Sequence, residues 1–308
     1  MSTLYPDRAP EPPEPHEPQS EELSPEPFRA PSPEELSPQF RPRPEFELRP
    51  MPDRLAPFDS RTPFQWMDLV YLILFYFVCG GLLTLIVAAG AFVFFGISPS
   101  ELKSSTTAWA SVMIISQALL SGATLAFLYA ILRGRTSAPF WQALGWRDFH
   151  QMASHASIAL RYIFGGFGLA VLVGWAGNFV GRESGIPMEE LFRSRQSVLM
   201  LMALGILVAP VVEETIFRGC IYPVIARKFG ITAGVVATGA LFGLAHAQQL
   251  GGAWGQIGLL ICVGIVLTYV RARAGTVAAS YFVHLGYNTI LFAGFFIATG
   301  GLRHLPTS

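Results

Sequence analysis

Leu204-Gly-Ile-Leu-Val-Ala-Pro-Val-Val-Glu-Glu-Thr-Ile-Phe-Arg-Gly-Cys-Ile-Tyr222 decides the fold. It lies inside a long apolar run, yet it carries Glu213, Glu214 and Arg218. Charges in a membrane-spanning segment cost roughly 2.5–3.5 kcal/mol each on insertion scales. Two adjacent carboxylates therefore need partners, and the rest of the chain is read for groups that can supply them.

The surroundings of this stretch are apolar as well. Hydrophobic residues make up 52% of the 308 and charged residues 14%, and the mean hydropathy is +0.44. Of the 21 acidic residues, 13 fall within residues 1–63, and so do 17 of the 23 prolines. The remainder is nearly free of acids and reads as a polytopic, all-α membrane protein. Residues 1–63 cannot bury enough apolar surface to offset chain entropy and are expected to be a disordered cytoplasmic tail. Within it Glu21-Glu-Leu-Ser-Pro recurs at Glu34-Glu-Leu-Ser-Pro. The tail is a solvated tether or a docking segment for a proline-recognising partner. The first 30 residues hold no apolar core for a cleaved signal peptide.

Seven spans are expected: Leu69–Gly96, Ala108–Leu132, Ile158–Val180, Val198–Ala226, Ile231–Ala247, Gln256–Val270 and Thr276–Thr299. The chain thus divides into the tail (1–63), N-terminal helices with an interfacial segment (64–196), a helical core (197–299) and a short C-terminal tail (300–308). Phe140–His155 mixes Trp141, Trp146 and Phe149 with polar residues and suits an amphipathic interfacial helix or an ordinary loop. With seven spans, the positive groups Arg54 and Arg61, Arg133 to Arg161, Arg227 and Lys228, and Arg271 and Arg273 all fall on one side. The positive-inside rule makes that side, and the N-terminus, cytoplasmic. Zero net charge without a basic stripe excludes a nucleic-acid partner. Cys79, Cys220 and Cys262 match no zinc spacing and read as buried apolar side chains.

Few ionisable side chains remain in the later spans to face the glutamates. His246 ends Phe242-Gly-Leu-Ala-His246, and His284 and Asn288 bracket His284-Leu-Gly-Tyr-Asn288. Glu214 and Arg218 are four apart, share a helix face and neutralise each other. Glu213 points about 100° away and is the more available carboxylate. Pro210 removes a backbone hydrogen bond just before the pair and is expected to kink the helix. Measured along the helices, Glu213, His246, Asn288 and His284 lie about 13–24 Å into the membrane. Gly239 and Gly243 form a small-residue pair for helix packing. Glu189-Glu-Leu-Phe-Arg193 imitates the charged motif but reads as an interfacial helix.

These residues resemble the CAAX prenyl protease and bacteriocin-processing (CPBP, or Abi) family of intramembrane endopeptidases. The family pattern of Glu-Glu-x-x-x-Arg, Phe-x-x-x-His and His-x-x-x-Asn appears in order at Glu213–Arg218, Phe242–His246 and His284–Asn288. The resemblance implies a multi-pass protease, in a bacterial inner membrane, acting on a membrane-associated peptide or protein. Its implied catalytic set is Glu213, Glu214, Arg218, His246, His284 and Asn288. Glu213 would activate water with help from His246. His284 and Asn288 would hold the oxyanion, or Glu213, His246 and His284 would bind Zn²⁺; both versions are chemically sound. Two other functions fit the same polar groups: a non-proteolytic immunity or scaffold protein, and a proton or ion carrier. No inverted repeat speaks for the carrier.

Overall fold

The computed structural model divides the chain into two units, Met1–Pro50 and Met51–Ser308. It describes residues 62–147, 149–154, 156–180 and 191–305, all in the second unit. The expected tail, its internal repeat and the glutamates of Glu189–Arg193 lie outside or at the edge of these residues. Among the described residues every regular element is helical.

Six helical segments are long and apolar enough to span a membrane. They are α1 (Trp66–Phe95), α3 (Thr106–Arg133), α6 (Ala156–Gly177), the continuous run Arg195–Phe229, α11 (Trp254–Ala274) and α12 (Val277–Ala298). The protein is an integral multi-pass membrane protein. The seventh expected span is α10 (Ile231–Ala245), only 15 residues long. At 1.5 Å per residue it covers about 22 Å, less than a ~30 Å core. His246, expected inside this span, caps its end.

α1 and α3 form an antiparallel pair joined by α2 (Pro99–Ser104). Phe75 stacks on Phe127 with ring centroids 4.3 Å apart. A Cβ on Gly80 would lie 3.2 Å from Leu120 Cδ2. Arg135 bonds Asp68 at 2.5 Å, and Arg227 donates to the Phe64 carbonyl at 2.9 Å, so the start of α1 is tied down.

Phe140–His155, read as an amphipathic interfacial helix or an ordinary loop, forms no single long helix among its described residues. α4 (Phe140–Ala143) and α5 (Phe149–Ser154) are short, and the turn between them plugs into the core. Leu144 and Trp146 are buried. Val277 donates its N–H to the Gly145 carbonyl at 2.9 Å, which moors α12. The cysteine expectation holds only for Cys220; Cys79 is half-buried and Cys262 exposed on the apolar exterior, and all three are free.

Glycines set the closest helix approaches. A Cβ on Gly239 would strike Ile265, and one on Gly264 would lie 2.7 Å from the Gly239 carbonyl oxygen, so α10 and α11 touch backbone to backbone. Gly286 meets the α6 backbone at Ile163. It lies between His284 and Asn288 in sequence but on the other side of α12. Pressing that side onto α6 turns the His/Asn side toward the charged run.

Candidate active site

The charged run is not a plain α-helix. After α7 (Arg195–Ala203), a π-helical turn spans Leu204–Val208, then α8 (Ala209–Glu214), a second π-helical stretch over Thr215–Ile221, and α9 (Tyr222–Phe229). Each π stretch is closed by a proline one residue into the next α segment, Pro210 and Pro223. A proline ring clashes with the carbonyl four residues back and offers no N–H. Widening the preceding turn removes that clash, and single π turns of this kind recur at functional sites. The kink expected at Pro210 is thus a π turn.

That turn orphans one carbonyl. Ala209 N–H bonds Leu204 O rather than Gly205 O, and Pro210 has no hydrogen to offer. Asn288 Nδ2 fills the gap, donating to Gly205 O at 2.8 Å. Asn288 therefore has a job that its spacing from His284 did not disclose. It bridges α12 to the turn just before the glutamates.

Glu214 is the hub. It is fully buried, as is Arg218. Arg218 Nη1 lies 3.0 Å from Glu214 Oε1, the pair expected from the i,i+4 spacing. Arg218 also donates Nε–H to Thr268 Oγ1 at 3.2 Å and Nη2–H to the Gly264 carbonyl at 2.9 Å. Its guanidinium sits 4.6 Å from the Phe242 ring centroid. Every donor group of this cation has an acceptor or a ring, which a buried charge requires.

His284 Nδ1 donates to the same Glu214 Oε1 at 2.9 Å. The carboxylate can only accept, so Nδ1 carries the hydrogen and Nε2 points the other way. Nε2 lies 3.7 Å from Glu213 Oε2, too far for a direct hydrogen bond. Glu214 is therefore more than a neutraliser of Arg218: it orients His284. Glu213 is the more open carboxylate, with 27% of its side chain accessible against none for Glu214.

His246 Nδ1 meets the Phe242 carbonyl at 2.8 Å. A carbonyl only accepts, so neutral His246 carries its hydrogen on Nδ1 and keeps Nε2 as a basic lone pair. The Phe242 ring packs near both histidines, 4.8 Å from His246 and 5.8 Å from His284, centroid to centroid. The structure thus bonds Glu214, Arg218 and His284 to one another, sets Glu213 3.7 Å from His284, and brings His246 against the same phenylalanine as His284. Asn288 reaches the same helix run through Gly205.

Thr268, Gly264 and Trp146 were not legible as site residues. Trp146 Nε1 donates to Thr215 Oγ1 at 3.0 Å, next to Glu214 in sequence. Its one signal was a tryptophan set among polar residues.

Zn²⁺ would need Glu213, His246 and His284 together. Among the described residues no three His, Cys, Asp or Glu side chains converge as a metal site. Both histidines leave Nε2 free, but Glu213, His246 and His284 do not come together closely enough among the described residues to hold a three-ligand ion.

Residues 195–290, about a third of the chain, match the family described as type II CAAX prenyl endopeptidase, Rce1-like. No curated protein and no solved structure matches. The matched segment contains all six expected site residues.

Proposed function

We propose that this chain, whose residues 195–290 match the type II CAAX prenyl endopeptidase family, hydrolyses a peptide bond in a membrane-associated protein or peptide, with Glu213 as the general base. The observation that carries the reading is the division of labour between neighbouring carboxylates. Glu214 is consumed by Arg218 and His284, while Glu213 is partly open and faces His284 Nε2 across 3.7 Å.

The chemistry needs no metal. A water beside Glu213 gives its proton to the carboxylate as its oxygen attacks the scissile carbonyl. The His246 Nε2 lone pair is the second acceptor for that water. With a proton on each nitrogen, His284 keeps Nδ1–H on Glu214 and directs Nε2–H to the developing oxyanion. Asn288 Nδ2 has two hydrogens; one holds Gly205 O and the other serves the oxyanion. A donor of this kind contributes about 2.7–4 kcal/mol to the transition state. Glu213 then returns its proton to the leaving amine, so atoms and charge balance. The arginine-rich loops support a cytoplasmic N-terminus.

The test is cleavage of a membrane-associated peptide by purified protein, offered prenylated and unprenylated, with products weighed by mass spectrometry. Cleavage that Glu213→Ala abolishes, and that survives exhaustive chelation, is expected. Cleavage by Glu213→Ala at the parent rate would defeat the proposal. Loss on chelation with recovery on Zn²⁺ would replace the metal-free version with the metal one.

A further inference from the structure

The turn between α4 and α5, residues 144–147, touches both elements that carry the site, yet it lies outside the family match. On the charged run, Trp146 Nε1 donates to Thr215 Oγ1 at 3.0 Å. One turn further along, a Cβ on Gly219 would lie 2.7 Å from the Leu144 carbonyl oxygen. On α12, Val277 N–H bonds the Gly145 carbonyl at 2.9 Å. The Trp146 ring meets the ring of Tyr281, three residues before His284, with centroids 5.4 Å apart. The turn therefore braces the same two helices that the Glu214–His284 bond joins.

Thr215 is where the brace bears on the carboxylates. Its backbone N–H and its Oγ1–H both bond the Val211 carbonyl, the hydroxyl at 2.7 Å. These two bonds close the helical turn 211–215, which holds Glu213 and Glu214 between its ends. From Thr215 onward the run widens into its second π stretch. The closure at Thr215 thus fixes where the pitch changes, and with it the direction of the side chains just before. An indole N–H only donates, so Thr215 Oγ1 accepts from Trp146 and gives its own hydrogen to Val211. Both residues are buried, and water does not compete for the bond. Reacting groups need their supports held to about 0.5 Å.

We propose that Trp146 is a positioning residue for the two glutamates. By fixing Thr215 it holds the turn 211–215 so that Glu214 meets His284 and Glu213 faces the attacking water. The proposal rests on Glu213 being the base. It gives the α4–α5 turn, which carries none of the family motifs, a part in the reaction.

The test uses the full chain and the cleavage assay above, with rates taken per folded molecule. Trp146→Phe keeps an aromatic ring and removes the donor. Its kcat is expected to fall about three- to tenfold, the worth of one hydrogen bond, with KM unchanged. Thr215→Val removes the acceptor and should fall at least as far, whereas Thr215→Ser keeps the hydroxyl and should stay close to the parent. Adding Trp146→Phe to Thr215→Val should lower kcat no further, because the bond is already gone. A brace that only stabilises the fold would lower Tm and leave kcat intact, and that result overturns the proposal. So does a double variant whose losses multiply. Should Trp146→Phe fail to fold, the threonine variants decide alone. A loss in Thr215→Val that Thr215→Ser restores supports the proposal; parent kcat in Thr215→Val, or equal loss in both, overturns it. Glu213→Gln runs in parallel. Full activity there sinks the base assignment itself, whereas an inactive Glu213→Gln beside a fully active Trp146→Phe sinks only the positioning role.

Discussion

α1 and the run Ala209–Phe229 both sit among apolar helices, but they are held by different forces. α1 has 30 residues, and its buried ones, Asp68, Leu69 and Leu72, all lie near its start. Beyond them it leans on α3 through Phe75 and Gly80 and shows lipid-facing side chains such as Phe77, Leu85 and Phe94. The second run buries Glu214 and every residue from Thr215 to Cys220. Its polar groups must be matched one by one, since a buried group without a partner carries its full desolvation cost. In a membrane, apolar packing between helices competes with equally apolar lipid. Stability here therefore concentrates where the polar groups are: Arg218 is tied to α11 and Glu214 Oε1 to α12.

The sharpest way to break that contrast is at Arg218. Arg218→Met leaves buried Glu214 without its arginine, held by His284 alone, and should cost about 3–5 kcal/mol, read by thermal unfolding in detergent. Adding Glu214→Leu should recover most of the lost stability while leaving His284 unoriented and the protein inactive. A stable, active Arg218→Met would show that the site tolerates open polar groups. Asn288→Ala comes next. It orphans the Gly205 carbonyl and should cost about 1–3 kcal/mol, with loss of cleavage beyond what stability explains. The smallest effect belongs to α1. Phe75→Leu removes one stacked pair and should cost about 0.5–1.5 kcal/mol in unfolding measurements. If Phe75→Leu proved as damaging as Arg218→Met, the contrast would collapse.

Much of this architecture was legible in the sequence. Six spans are visible as apolar runs because a lipid core forces about 20 residues per crossing. The Glu214–Arg218 pair follows from i,i+4 geometry, which survived the π stretch. The seventh span is there as the shorter apolar helix α10, and only its end was misplaced: hydropathy does not say that the helix stops at Ala245. Side-chain partners across helices were less legible. That His284 chooses Glu214 depends on the rotation of α12, set by Gly286 against Ile163. That Asn288 serves Gly205 depends on a π turn, which Pro210 permits but does not announce. Trp146 looked like a membrane-surface residue because aromatic belts and core plugs have the same composition. In each case the missing information is a rotation or a register, and only packing supplies it.

The central claim is that neighbouring glutamates have different work. It is tested most directly by Glu213→Gln and Glu214→Gln, purified side by side, with unfolding temperature and cleavage rate per folded molecule measured on each. Glu213→Gln should unfold like the parent and cleave nothing detectable. Glu214→Gln should lose several degrees of stability, because Arg218 and His284 lose their shared acceptor charge. A Glu213→Gln protein that cleaves at the parent rate, or a Glu214→Gln protein as stable as the parent, would contradict it.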